Sequence, residues 1–308
     1  DPFTIRFEEL VLTGDRNDAA SQPYPFCLAY ALDEGPEDIG DPEPWMAERK
    51  WDGIRGQLIA RNDELFLWSR GEELITDRFP EYRELRETLP NGTVLDGEIL
   101  PWKDEFPLPF RILQTRIGRK NPGKKSLENA PVIFMAYDLL ESEGKDLRNH
   151  PFGERRKKLE KLMTTLTRDT TKLRLSPLIP FRSWDELRKQ RESSLELGCE
   201  GIMLKKKDSV YHPGRKKGDW WKWKIDPFTV NAVLTYAMRG HGRRANLYTD
   251  YTFSVWKGDE LVPFTKAYSG LSDEELRQVD RYVKQNTLER FGPVRSVKAE
   301  LVFEIAFE

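Results

Sequence analysis

From Pro131 to Leu140 the chain reads Pro-Val-Ile-Phe-Met-Ala-Tyr-Asp-Leu-Leu, an almost unbroken apolar run that predicts a strand buried on both faces. Shorter β-type runs surround it. Arg55 to Ile59 and Glu64 to Trp68 flank Arg61-Asn62-Asp63, a hairpin signal, so Lys50 is expected just before a strand. Thr93 to Leu100 follows the breaker Pro90-Asn91-Gly92, and Gly201 to Lys205 follows Gly198. Three stretches have helical spacing. Thr76 or Asp77 can cap a helix through Leu89, Pro151 to Leu166 is basic and amphipathic, and Ser183 with Glu186 forms a capping box for a helix to Leu197. After Asp226-Pro227 the pattern changes. Strands Thr229 to Met238, Tyr251 to Trp256, Leu261 to Tyr268 and Ala299 to Phe307 alternate with glycine-rich turns, and one helix, Ser272 to Gln285, interrupts them. This predicts an α+β domain over 23–226 and a small OB-type β-barrel over 227–308. Residues 1–22, rich in turn formers and opening without methionine, read as a linker cut from something longer.

Composition narrows the classes. With 308 residues, 38% hydrophobic and 33% charged, the chain can bury two cores, and no run reaches the roughly 18 apolar residues of a membrane helix. A cytoplasmic, nucleoid-associated protein with no membrane partner is expected. Cys27 and Cys199 make no disulfide framework, and with three scattered histidines they give no zinc spacing, so a metal here would be oxygen-ligated. Fifty basic residues against fifty-two acidic ones argue against a uniformly basic coat. Charge is nevertheless clustered. Arg111 to Lys125 holds six cations and no acid, and Arg215 to Lys224 interleaves cations with three tryptophans. Local patches of this kind suit a phosphate backbone, although a solvated surface loop explains the first patch equally well.

Candidate chemistry centres on Ala47-Glu48-Arg49-Lys50-Trp51-Asp52-Gly53-Ile54-Arg55. Alone it reads as a charged Asp-Gly turn, or as a lysine nucleophile beside a phosphate-binding guanidinium. Its companions decide. Ser69-Arg70-Gly71, Leu95-Asp96-Gly97-Glu98-Ile99, Phe134 to Leu140, Glu200-Gly201-Ile202-Met203-Leu204-Lys205 and Trp221-Lys222-Trp223-Lys224 follow in the order of the collinear motifs of covalent nucleotidyltransferases. From about Pro23 to Glu308 the chain resembles the ATP-dependent DNA ligases, nearest to the bacterial LigB type. The resemblance implies an ATP-grasp-like nucleotidyltransferase (adenylation) domain of antiparallel-rich sheets, followed by the OB-fold domain.

It also implies roles. Lys50 would attack the α-phosphate of ATP and carry AMP covalently. A free lysine amine is only about a thousandth neutral near pH 7.5, a handicap of roughly 4 kcal/mol that neighbouring cations reduce. Lys222 and Lys224, alternate residues of one strand, would face both nucleophile and phosphate. Glu98 and Glu200 would hold Mg2+ or Mn2+, with Glu98 also reaching the ribose. Arg55 and Arg70 would grip ribose and phosphate, Glu48 would accept from the adenine amino group, and Tyr137 would stack on the base opposite Met203. Core packing is the plain alternative for Tyr137 and Met203. The expected substrate is nicked double-stranded DNA, gripped through Arg116 to Lys125 and through Arg239, Arg243 and Arg244. The protein is expected to be a monomer that meets DNA-repair proteins. The family's late Arg-x-Asp-Lys-like motif, which orients pyrophosphate, is missing, so the 227–308 domain reads as C-terminally incomplete. RNA ligases and GTP-dependent mRNA-capping guanylyltransferases share the lysine motif, and a non-catalytic nucleic-acid-binding fragment of the fold is a further alternative. Glu48 and the Glu200 motif lean towards ATP and DNA.

Overall fold

Lys50 lies near the end of strand Trp45–Trp51, not in a loop, and the Asp52-Gly53 turn after it carries the chain from one sheet into another. Such tight passage needs glycine: a Cβ on Gly53 would sit 2.4 Å from the Ile99 carbonyl oxygen. In this computed structural model the described residues are 20–166, 170–242, 245–268 and 270–307. The linker expected over 1–22 falls outside them up to residue 19, as do Arg243 and Arg244. The chain forms two compact units, 1–225 and 226–308.

The first unit carries two main sheets. One orders its strands Leu173–Leu175, Val132–Ser142, Thr93–Lys103, Ile54–Arg61, Glu64–Ser69. The apolar run is interior there, as its pattern predicts. The second sheet orders Leu178–Ile179, Trp45–Trp51, Cys199–Lys206, Trp220–Lys224, Tyr30–Ala31. Its outer face buries Trp45, Ala47, Ile202, Leu204, Trp221 and Trp223 with Trp184 and Leu187 of helix Trp184–Glu192. Helix Phe152–Leu166 packs Leu159, Met163 and Leu166 into the core of the first sheet, with Leu58, Leu95 and Phe134.

Three local expectations change. Thr76 to Leu89 is not one helix but the 3-10 turns Thr76–Arg78 and Pro80–Glu84 followed by Leu85–Thr88. Pro80 has no N–H and forces Phe79 out of the helical region, to φ -130 and ψ 60. The helix capped by Ser183 stops at Glu192, and turns lead on to Gly198 at φ +66. The basic stretch from Arg111 forms helices Phe110–Ile117 and Lys124–Asn129, and Arg116 is buried. Its guanidinium spans both Glu81 oxygens at 2.7 and 2.8 Å and donates to the Arg78 and Ala130 carbonyls. Arg116 is therefore spent on packing and is not free to meet a duplex.

The second unit is a curled antiparallel sheet of OB-like form. Its strand order is Glu260–Ala267, Tyr248–Lys257, Phe228–Arg239, Val294–Val297, Thr287–Phe291, with Val302–Phe307 pairing the first half of the long Phe228–Arg239 strand. Helix Asp273–Gln285 begins at a capping box between Ser272 and Glu275, and buries Leu276, Val279 and Val283 against Tyr248, Tyr251 and Phe253. Arg239 is exposed on this unit. Among the described residues no helix is long and apolar enough to cross a membrane.

Candidate active site

Strand alternation builds one wall of a cavity of about 590 Å³. Because Trp45, Ala47, Ile202, Leu204, Trp221 and Trp223 turn outward into a core, Glu48, Lys50, Met203, Lys205, Trp220 and Lys222 turn inward. Register then sorts them into rows. Glu48 pairs across Met203 to Lys222, and Lys50 pairs across Gly201 to Lys224. At Gly201 the row has no side chain, and none fits: a Cβ would lie 2.3 Å from the Trp223 carbonyl oxygen, at φ +138. The register shifts between Cys199 and Gly201, a β-bulge beside this gap. Simple alternation would put Glu200 on the face opposite Met203. The bulge turns it back, so Lys50 donates to Glu200 Oε2, with Lys224 Nζ 3.4 Å from the same oxygen.

Cations cluster here. Lys222 is held below the usual lysine range by burial, reinforced by Lys50, Lys224, Arg215 and Arg70. Glu200 is pulled below the usual carboxylate range: burial opposes the shift, and Lys50 and Lys224 outweigh it. Arg70 is exposed, its backbone N–H bonded to the Arg55 carbonyl at 3.0 Å.

The other sheet supplies Arg55, Glu98 and Tyr137. Arg55 is already committed. It donates to both Asp96 oxygens at 3.1 and 2.7 Å and to the Cys27 carbonyl at 2.6 Å, while Tyr211 also donates to Asp96. Its guanidinium lies 5.2 Å from the Phe26 ring centre and 5.8 Å from Tyr137. Glu98 is pushed up to about 8, mainly by burial; Arg55 and Lys50 pull it down, and Asp96 and Glu200 add to the rise.

Two residues before Lys50 on the same strand, Glu48 is buried between two cations, with Arg156 Nη1 2.7 Å from Oε1 and Lys205 Nζ 2.6 Å from Oε2. Lys205 sits within 4.3 to 4.8 Å of the Tyr137, Trp220 and Phe152 ring centres. Sequence reasoning missed Arg156, Lys205, Arg215, Trp220 and Phe26 as site residues. Arg215 had a signal, in its basic and aromatic stretch. Arg156 had none, since it looks like any surface arginine of a basic helix.

The ATP dependent DNA ligase domain profile matches residues 28–224, which carry every one of these cavity residues except Pro25 and Phe26. The chain belongs to the ATP-dependent DNA ligase family. The chain is similar to a probable DNA ligase of Koribacter versatilis, 33% identical over 304 residues, 92% of the chain and 53% of the relative. A DNA ligase of Natronomonas pharaonis is 34% identical over 263 residues, 85% of the chain and 46% of the relative. The chain thus spans about half the length of these ligases. Among solved structures, a mycobacterial DNA ligase D complexed with ATP is 25% identical, with a TM-score of 0.56 over 92% of this chain and 88% of that one. A Lig E DNA ligase, 19% identical with a TM-score of 0.61 over 83% of this chain and 88% of that one, shares the ligase fold.

Proposed function

We propose that the chain is the catalytic core of an ATP-dependent DNA ligase that carries AMP on Lys50 and seals nicked double-stranded DNA. One observation carries this reading: Lys50, paired with Glu200 beside Lys224, lines a nucleotide-sized cavity together with Lys222, Arg70 and Arg215, and the carboxylate Glu48 lines the same cavity two residues back along the Lys50 strand. That combination fits a purine nucleoside triphosphate in the cavity.

The Lys50 amine, once deprotonated, attacks the α-phosphorus; a P–N bond forms, the α–β P–O bond breaks, and pyrophosphate leaves with its charge met by Lys222 and Lys224. A nick 5′-phosphate oxygen then attacks the same phosphorus, the P–N bond breaks and Lys50 is regenerated. Finally the 3′-hydroxyl attacks the activated 5′-phosphate and AMP departs. Tyr137 and Met203, facing the cavity from different sheets, flank the base, and Arg70, with its side chain exposed, serves phosphate or ribose better than Arg55, whose donors are occupied.

For a divalent ion the donors on hand are Glu98 and Glu200, and among the described residues no cluster of three acidic, cysteine or histidine side chains offers a full cage. Two carboxylates fit Mg2+ or Mn2+, which keep several waters and complete their shells with phosphate oxygens. When bound, the ion neutralises phosphate charge.

Incubation with ATP or GTP labelled at the α-phosphate, followed by denaturing electrophoresis, tests the reading. Label from ATP must stay on the protein, and a nicked duplex must then discharge it. Label from GTP alone would move the chain to the capping enzymes, and label discharged only by nicked RNA would move it to the RNA ligases.

A further inference from the structure

Adjacent arginines of helix Phe152–Leu166 reach into different sheets. Arg155 makes a two-pronged pair with Asp138, with both contacts at 2.8 Å, whereas Arg156 reaches Glu48 on the cavity wall. Arg156 does more than neutralise it. Nη2 donates to the Ser176 carbonyl at 2.7 Å and Nε to Glu160 at 2.8 Å, so the guanidinium plane is fixed from three sides. Lys205 faces the second Glu48 oxygen as an ion pair at 2.6 Å, with no aligned hydrogen bond, and is caged by three rings, so Arg156 makes the directional contact to this carboxylate.

We infer that Arg156 is a positioning residue for nucleotide choice, locking the Glu48 carboxylate in the one orientation that reads an adenine amino group. The inference rests on the proposed function and goes on to say what sets its base specificity. A carboxylate that reads guanine takes N1–H and N2–H together, one on each oxygen, and must turn its plane to that edge. Adenine offers a single amino donor beside the acceptor N1. With an arginine donor on one oxygen and the Lys205 ammonium paired to the other, Glu48 cannot turn; each oxygen keeps a lone pair only in the direction those cations leave open, which suits one amino group and meets guanine O6 with repulsion. Without Arg156 the carboxylate pivots on Lys205 alone, and the guanine edge becomes readable.

The test compares adduct formation from ATP and from GTP in Arg156→Met, Arg156→Lys and, as a comparator of equal burial, Arg155→Lys. In Arg156→Met the ATP-over-GTP ratio of kcat/KM should fall at least about tenfold, through a higher KM for ATP with kcat little changed. Arg156→Lys, which keeps one charged donor, should recover part of the ratio. Arg155→Lys should melt at a lower temperature with the ratio unchanged. If Arg156→Met does not fold, a ratio reduced in Arg156→Lys carries the inference and a wild-type ratio overturns it. Equal ratios in all folded variants overturn it while leaving the proposed function standing. Wild-type protein that labels with neither nucleotide sinks both.

Discussion

Glu48 and Lys50, two residues apart on one strand, sit in opposite charge settings. At the proposed base site Glu48 and Arg156 are each 2% exposed, and each has its charge matched within the protein. At the proposed phosphate site the Lys50, Glu200 and Lys224 side chains are 20%, 25% and 34% exposed, and one carboxylate serves two amines. A neutral planar base is recognised by a fixed acceptor, which burial and ion pairing supply. Phosphates that arrive, react and leave call instead for cations in excess of their protein partners and open to water. The buried pairs add rigidity more than stability, since desolvation offsets most of their attraction.

The same change made at each site breaks this comparison most sharply. Lys224→Met should slow adduct formation by about 10²-fold or more, the usual effect of removing a group that meets developing phosphate charge. Its melting temperature should barely move, because exposed pairs contribute roughly 0 to 1 kcal/mol. Lys205→Met should do the reverse in stability, costing about 3 kcal/mol in urea unfolding, because Glu48 stays buried with half its charge compensation gone. Equal stability losses in the two variants would erase the distinction drawn here.

A smaller effect belongs to Glu98. Its folded-state value, raised to about 8, means that the native chain keeps a proton the unfolded chain has released, so this group lowers stability as pH rises from about 4.5 towards 8, and the loss is complete above 8. Glu98→Gln should flatten the slope of unfolding free energy against pH across that window in metal-free buffer. At pH 8, Mg2+ should stabilise the parent protein more than the variant, since binding to the folded state alone shifts the equilibrium. An unchanged slope would show that Glu98 ionises normally and is no special cation site.

Much of the fold was legible because apolar periodicity is local: the run ending at Leu140, the strand before Lys103 and the Ser272-capped helix all stand where their patterns put them. The ligase family was legible because its motif residues keep their order along the chain. What stayed hidden depends on partners far away. Arg156 meets Glu48 across 108 positions, and Arg116 meets Glu81 across 35, so both arginines read as solvent-facing until the sheets are assembled. Glu200 reaches Lys50 only through a bulge that alternation cannot foresee, and Pro80 ended a helix that the capping pattern alone favoured.

The central claim is that the cation-rich site presents Lys50 to an α-phosphate. Digestion of the protein after incubation with ATP, followed by tandem mass spectrometry of the peptides, tests it most directly. The account predicts AMP on the Lys50 side chain alone, with no adduct in Lys50→Ala or in Lys50→Arg, whose guanidinium stays protonated. AMP on Lys222, Lys224 or any other residue, or an adduct that survives both substitutions, would contradict it.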